Sequence, residues 1–279
     1  MMHTFQHEAM ATHWEVIIAQ QENGYAQYAA EATFRELDRL ETLLSRFIES
    51  SDIARANHLE IGETTAISDE TLECLLIAAD ISLVTGRAFD PAYHSLRPAD
   101  LATDLTAYTL DPTAHTLTSR ATQLHLDLGA VGKGYALDRM AEILLDWAIP
   151  SACLNAGGSS VLALAPPTPT ASGWPIGLGE GPHRRTLSLK HASLSASGTA
   201  VQGPHLIDPR TGQPSPRVTR TWAFAPNAAQ ADALSTAFFI MEQSTITALC
   251  TAHPQVGAAL TSLTGDLSVY GALRTQLDR

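Results

Sequence analysis

The sequence predicts an α+β protein built on mixed or antiparallel sheets with packed helices. Candidate strands and helices follow one another irregularly, without the repeated strand-helix rhythm of a doubly wound parallel fold. The chain has 279 residues, 45% of them hydrophobic and 16% charged. That length and composition suit one large globular domain or two intimately joined halves, so a sizeable buried core is expected.

The net charge and the hydropathy pattern of the chain limit the kinds of partner that it can bind. The formal net charge is −12 and no block of lysine and arginine occurs, whereas nucleic-acid binding depends on basic surfaces. The chain begins without a basic segment followed by an apolar one, and no long apolar run follows. We therefore expect no nucleic-acid partner, no transmembrane segment and, for the sequence as given, a cytoplasmic location.

The first elements are a strand and two helices. Residues 12–19 are predicted to form a strand. Residues 25–47 are predicted to form an amphipathic helix, because apolar residues recur there at helical spacing. A second helix is predicted over residues 68–86, with Ser68 or Asp69 as the N-cap and Gly86 at its end.

Asp90 follows this second helix on a predicted bend. Pro91 blocks continuation of a helix, so the carboxylate is presented just past a helix end, where ligand-binding groups are common.

Residues 116–128 alternate as in a strand, with Leu124, Leu126 and Leu128 on one face and His125 and Asp127 on the other. A glycine turn and a helix up to Ile149-Pro150 should follow.

The second half of the chain is predicted to be rich in strands. Strands are expected at residues 151–165 (two, around an Asn-Ala-Gly-Gly turn), 174–178, 185–190, 192–197 and 217–225. A helix over residues 230–241 is predicted to carry Asp232 in its first turn, and a hairpin around residues 264–266 should close the fold.

The segment "LDLGAVGKGYALDRM" (residues 126–140) suggests a ligand cradle. It lacks the spacing of a phosphate-binding P-loop, because Lys133 is followed by Gly134. Glycines at a strand-to-helix junction nevertheless let a ligand approach the backbone, and helix N–H groups with Lys133 favour an anion. A tight connection with a solvated lysine is an equally good interpretation of this segment alone.

Two further groups could carry chemistry. His205, in a loop with Asp208 and Arg210, could act as a general base near neutral pH. From the loop alone, however, the simpler interpretation is favoured, in which Asp208 caps a turn and His205 only packs. Asp232 and Thr236 share a helical face and offer hard oxygen ligands suited to Mg²⁺. The alternative is an acid that favours the helix dipole and an ordinary helical threonine.

Serine hydrolase chemistry is not indicated. The segment "SLSASG" (residues 193–198) has no GxSxG nucleophile elbow and no evident base partner.

Eight motifs in one order resemble the ApbE-like family of FAD:protein FMN transferases, from about Met10 to Met241. They are "MATHWEV", "LLSRFIESSDIARAN", "GRAFDPA", "LDLGAVGKGYALDR", "LNAGGSSV", "SASGT", "HLIDPRTGQP" and "ADALSTA". The order of all eight is far more specific than any one of them.

This resemblance implies a single domain over residues 1–279 with an architecture related to the T-fold. It implies an enzyme that uses Mg²⁺ and takes FAD as substrate. FMN would pass through its phosphate to a threonine or serine hydroxyl of an acceptor flavoprotein, and AMP would leave. Many relatives are exported proteins.

The resemblance also implies roles for particular residues. The flavin nucleotide site would comprise Met10, Phe47, Ala88, Phe89, Asp90, Asp127, Lys133, His205 and Leu206. The metal ligands would be the Ala130 carbonyl, Asp232 and Thr236. His205 would take the proton from the attacking hydroxyl, and with Asp232 would form the catalytic pair.

Two departures from the family pattern leave alternatives open. Ala11 stands where relatives usually have glycine, and the segment between Ser197-Gly198 and His205 is short and lacks an aromatic residue. The alternatives are an FAD pyrophosphatase that yields FMN and AMP, and a non-catalytic FAD-binding carrier or sensor.

Overall fold

The computed structural model describes residues 1–96, 106–179, 184–198, 207–215 and 218–277. The strands are β1 (Met2–Ala9), β2 (Thr12–Ala19), β3 (Thr64–Ala66), β4 (Tyr108–Asp111), β5 (Thr116–Ser119), β6 (Ala152–Ala156), β7 (Ser160–Ala163), β8 (Trp174–Leu178), β9 (Arg185–Leu189), β10 (Ala192–Gly198), β11 (Ile207–Asp208), β12 (Gln213–Pro214), β13 (Val218–Ala225), β14 (Gly257–Ser262) and β15 (Leu267–Gly271). The helices are α1 (Asn23–Leu44), α2 (Asp52–Asn57), α3 (Asp69–Val84), α4 (Gly132–Asp146), α5 (Ala228–Ile240), α6 (Gln243–Ala252) and α7 (Ala272–Leu277).

An eight-stranded sheet forms the middle of the molecule. Its strand order is β1-β2-β6-β7-β10-β13-β14-β15, and each neighbouring pair is antiparallel. A three-stranded sheet (β3-β5-β4) and the small hairpins β8-β9 and β11-β12 are also antiparallel. The predicted α+β class with antiparallel sheets is therefore confirmed.

Both faces of the large sheet are covered. Helices α1, α4 and α5 pack on one face, while the β8-β9 hairpin and α7 lie against the other. Successive strand residues point to opposite faces, so Ala223 of β13 joins the helix side and its neighbours Trp222 and Phe224 join the hairpin side. In the described ranges no helix is both long and apolar enough to cross a membrane.

Several predicted elements are confirmed. Strand β2 has the predicted bounds, and α1 is the predicted amphipathic helix, with Leu37 and Leu40 fully buried. Ser68 is the N-cap of α3, because its hydroxyl accepts a hydrogen bond from the Thr71 N–H. Gly86, with a φ of +57°, follows the end of this helix.

The strand predicted over residues 116–128 is wrong beyond Ser119. Leu124, Leu126 and Leu128 are buried as the alternation requires. Their segment is not a ladder strand, however, because side chains satisfy much of its backbone. The Asn57 amide bonds both the N–H and the carbonyl of Leu126 (2.6 and 3.0 Å), and the His125 N–H donates to Ser95 Oγ. Alternating burial indicates an extended backbone, but it does not indicate which groups bond the backbone N–H and carbonyl groups.

Two other expectations need correction. Helix α5 begins at Ala228 behind an Asn227 cap, so Asp232 lies in its second turn and not in its first. Strand β1 was not predicted, although it pairs with β2 over its whole length.

A two-residue turn joins β1 to β2. Ala9 pairs with Thr12, and the residues between them, Met10 and Ala11, both have positive φ (49° and 55°), as a type I′ turn requires. The Trp14 indole N–H donates to the Ala9 carbonyl and braces the turn from inside. The left-handed conformation explains why glycine would suit position 11, since a Cβ is disfavoured there.

We expect Ala11→Gly to raise the free energy of unfolding by about 0.5 to 1 kcal/mol, because it relieves the left-handed strain of alanine. Urea unfolding of both proteins measures the difference. The control is Ala248→Gly in the exposed face of α6, which should instead lower stability by about 1 kcal/mol. A loss of stability in Ala11→Gly would contradict the turn assignment.

Candidate functional site

Three of the motifs, "MATHWEV", "LNAGGSSV" and "SASGT", meet at one end of the large sheet. In the register of the ladder, Trp14 pairs with Ala156, Ala156 with Ser160, and Ser160 with Ser195. Since the strands are antiparallel, the β1-β2 turn, the β6-β7 turn and the end of β10 lie at the same end. The Gly157 N–H donates to the His13 carbonyl and ties two of these turns together.

The carboxylate of Asp232 is the central group of this end of the molecule. The residue is 4% exposed, and both of its carboxylate oxygens are bonded. Oδ1 accepts from Ser160 Oγ (2.9 Å) and Oδ2 accepts from the Gly134 N–H (3.1 Å). A buried charge requires such partners, and they fix the direction in which the carboxylate presents its remaining lone pairs.

The Asp232 carboxylate caps the start of α4. Gly134 is the third residue of this helix, so its N–H has no carbonyl partner within the helix, and it donates to Asp232. Among the described residues, no hydrogen bond reaches the Ala130 carbonyl. This carbonyl, one residue before the N-cap Val131, can therefore accept a bond from a ligand.

Only glycine fits at position 134. A Cβ there would lie 2.1 Å from the Ala228 carbonyl oxygen, because the starts of α4 and α5 are in backbone contact. This close approach is what lets a main-chain N–H of α4 reach a side chain of α5.

A chain of hydroxyls orients Thr236. Ser235 Oγ donates to the Asp232 carbonyl (2.8 Å), so the proton of Ser235 is committed. Ser197 Oγ lies 2.7 Å from Ser235 Oγ and must donate to it. Ser197 can then only accept from Thr236 Oγ1, 3.1 Å away. Because each hydroxyl has one proton, the lone pairs of Thr236 are left for another partner.

This donor set fits Mg²⁺. A carboxylate, a main-chain carbonyl without a hydrogen bond and a hydroxyl with directed lone pairs are all hard oxygen ligands. Of the residues grouped by resemblance, Asp232 and Thr236 are linked through Ser235 and Ser197, and α4, which follows Ala130, bonds Asp232 through the Gly134 N–H.

Lys133 lies beside Asp232. Its ammonium donates to the Gly129 carbonyl (2.8 Å) and lies 3.6 Å from Asp232 Oδ2. The lysine therefore faces the carboxylate and is not a fully solvated side chain.

Asp127 and Phe47 lie on the open side of the Gly129 loop. Asp127 Oδ1 accepts from the Gly129 N–H (2.8 Å), and Oδ2 lies 3.5 Å from Arg46 Nε. The Arg46 guanidinium stacks 4.6 Å from the ring centroid of Phe47, which is 82% exposed. The result is an exposed aromatic surface next to paired charges.

Asp90 holds the bend that precedes this loop. Its carboxylate accepts from Arg87 Nη2 (2.6 Å) and from the Ala92 N–H (2.9 Å), and the Pro91 carbonyl accepts from the Asp127 N–H. Ala88 and Phe89 are almost fully buried in the core, so their side chains offer a ligand little surface.

Met10 lies at the β1-β2 turn, where its N–H donates to Glu41 Oε1 of α1 (2.8 Å). Two sequence-predicted residues, His205 and Leu206, lie outside the described residues. Asp208, just after them, accepts from the Arg210 N–H and pairs with the guanidinium of Arg210.

Sequence reasoning missed the supporting residues. Ser160 and Ser197 were part of quoted motifs, but only the fold reveals that they bond Asp232 and Thr236. The Asn57 amide, which holds Leu126, is a third such residue. The signal that could have indicated these supporting roles was a small polar residue within a predicted strand.

Asp138 of α4 stabilises the contact between the starts of α4 and α5. Its carboxylate accepts from the N–H groups of Ala228 (2.7 Å) and Ala229 (2.8 Å), the first residues of α5. Burial raises the pKa of Asp138 from 3.8 to about 6, against the opposing effect of these two hydrogen bonds and Arg139, and the nearby Asp232 charge adds to the rise.

Comparisons with known proteins show the family of this chain. The ApbE family model matches residues 10–260, and the chain belongs to the ApbE family. A curated relative named "FAD:protein FMN transferase" from Treponema pallidum is 27% identical over 82% of this chain and 76% of its own length. A second protein of that name, from Buchnera aphidicola, is 22% identical over 74% and 70%.

Solved structures share the fold. The flavin transferase ApbE from Vibrio cholerae superposes with a TM-score of 0.85 at 20% identity, covering 99% of each chain. The ApbE protein from Thermotoga maritima gives 0.83 at 22% identity, covering 100% of each.

We expect Gly134→Ala to destabilise the protein by roughly 2 to 3 kcal/mol, because the added methyl must separate the backbones of α4 and α5. Chemical denaturation measures the loss. Gly24→Ala is the matched control, since a Cβ at Gly24 of α1 meets nothing within 4 Å, and alanine should be neutral or stabilising there. Equal stability of the two variants would contradict the close approach.

The raised pKa of Asp138 predicts a pH dependence of stability. Since the folded pKa exceeds the unfolded one, the contribution of this carboxyl is largest below about pH 4 and is lost as pH rises through about 6. The stability of the wild type relative to Asp138→Asn should therefore fall by up to about 3 kcal/mol between pH 4 and 7. Denaturation at several pH values with EDTA present measures this difference; a rising difference would contradict the assignment.

Proposed function

We propose that this protein transfers FMN from FAD to a threonine or serine hydroxyl of an acceptor flavoprotein, in a Mg²⁺-dependent reaction that releases AMP. Membership of the ApbE family supports the proposal, as do relatives named FAD:protein FMN transferase. The observation that carries it is the buried carboxylate of Asp232, which shares a hydrogen-bond network with Thr236 and lies 3.6 Å from the Lys133 ammonium.

Residues Ala130, Asp232 and Thr236 would hold the metal. When bound, Mg²⁺ supplies charge neutralisation at the pyrophosphate and polarises the phosphorus-oxygen bonds. The chain's own contribution is to keep two of these ligands in place, through Gly134 and Ser160 on the carboxylate and Ser197 on the threonine hydroxyl.

The nucleotide would lie over the Gly129 loop. The exposed ring of Phe47 offers a face on which a flat ring system can stack. Lys133 offers an ammonium to phosphate oxygens at the start of α4, where helix N–H groups also favour an anion. Met10, the bend of Ala88, Phe89 and Asp90, Asp127 and Leu206 would complete the site.

His205 would serve as the general base. The acceptor hydroxyl oxygen forms a bond to the FMN phosphorus while the bond from that phosphorus to the bridging oxygen breaks. AMP leaves with this oxygen, and the hydroxyl proton passes to the histidine. A histidine suits this role because its ordinary pKa lies near neutral pH.

We also propose that residues 1–279 work as one domain. The proposed site takes residues from the β1-β2 turn, the Gly129 loop, α4, β10 and α5, so no short segment could bind the nucleotide alone.

The proposal is tested by incubating the protein with FAD and Mg²⁺, with and without an acceptor domain, while AMP, free FMN and acceptor mass are followed. Release of AMP with an FMN-sized mass increase on the acceptor would establish transfer. AMP with free FMN and an unmodified acceptor would show a pyrophosphatase. FAD binding without AMP would show a carrier or sensor.

We expect Asp232→Asn to lower the rate of AMP release at least about 100-fold, because a neutral amide cannot hold the metal as the carboxylate does. His205→Ala should abolish transfer and leave the FAD dissociation constant unchanged. Asp146→Asn, an exposed change at the far end of α4, is the control and should transfer normally. Normal transfer by His205→Ala would exclude that histidine as the base.

A further inference from the structure

Lys133 has an unusual position for a lysine that is expected to meet a phosphate. Its ammonium bonds the carbonyl of Gly129 and lies 3.6 Å from Asp232 Oδ2. These two groups are a main-chain carbonyl of the loop and the buried carboxylate. They resemble the donors proposed for the metal, namely the carbonyl of the next residue, Ala130, and the same carboxylate.

Asp232 needs a cation in the absence of metal. A carboxylate that is 4% exposed loses most of its hydration, and two neutral hydrogen-bond donors do not cancel its charge. Lys133 is the partner found for it among the ion pairs of the described residues. The ammonium therefore supplies the charge that opposes this carboxylate.

We propose that Lys133 is the resident counter-cation of the metal-free protein and is displaced from Asp232 when a divalent cation binds there. This inference depends on the metal site of the proposed function. A divalent cation on Asp232 and an ammonium 3.6 Å from the same carboxylate would repel each other strongly in a poorly hydrated site. One of them must leave.

The lysine is able to move without unfolding its helix. Its side chain is 24% exposed, it lies in the first turn of α4, and its four methylenes allow the ammonium to turn away from Asp232. A phosphate group bound at this helix start would receive it. Metal and anionic ligand therefore assist each other, since the anion stabilises the displaced lysine and the metal replaces it at the carboxylate.

The experiment measures Mn²⁺ binding to the nucleotide-free protein, by electron paramagnetic resonance, for wild type and Lys133→Met. Removal of the competing charge should tighten Mn²⁺ binding at least about fivefold. Lys190→Met, an exposed change in the β9-β10 turn, is the control and should bind as the wild type does. Unchanged or weaker Mn²⁺ binding by Lys133→Met would overturn the inference.

A second variant and a second ligand make the result easier to interpret. Lys133→Gln should repeat the tightening, in case methionine disturbs the fold. Inorganic pyrophosphate, after correction for its own complex with Mn²⁺, should enhance Mn²⁺ binding more in the wild type than in either variant; equal enhancement would count against the inference. If the wild type transfers FMN but the Lys133 variants bind Mn²⁺ no more tightly than the wild type does, only this inference is contradicted. A lysine effect without AMP release from FAD would contradict the proposed function alone.

Discussion

The burial of the Asp232 carboxylate is the constraint on which the rest of this site depends. A charge removed from water needs polar partners, and those of Asp232 come from two elements besides its own helix. The Gly134 N–H comes from α4, the Ser160 hydroxyl from β7 and the Lys133 ammonium from the first turn of α4. Each partner requires a particular packing, so the carboxylate fixes how α4, α5 and the large sheet meet.

The same contacts create the chemistry. The Ala130 carbonyl lies just before α4 and accepts no hydrogen bond from the described residues. Because Ser235 donates to the Asp232 carbonyl, the hydroxyl chain through Ser197 turns the lone pairs of Thr236 outward. The Asp232 carboxylate and the Thr236 hydroxyl therefore belong to one network of hydrogen bonds. A hard cation is the partner that such a set of oxygens suits.

Sequence reasoning predicted much of this arrangement, for identifiable reasons. Strand β2 and helix α1 follow simple hydrophobic periods, and the Asp232 and Thr236 pair is visible from helical spacing. The roles of Ser160, Ser197 and Asn57 were not visible, because each acts on a residue far away in the chain. The strand prediction after Ser119 was wrong for the same reason, because side chains from distant residues bond the backbone where alternation implied a partner strand. His205 and Leu206 lie outside the described residues, so their assignment stays a prediction.

The most direct measurement is a crystal structure of the protein with FAD and Mn²⁺, with anomalous scattering recorded at the manganese edge. The account predicts one strong manganese peak bounded by Asp232, the Ala130 carbonyl and Thr236 Oγ1, with the Lys133 ammonium turned to a phosphate oxygen. A manganese peak away from Asp232, with Lys133 still paired to that carboxylate while FAD is bound, would contradict it.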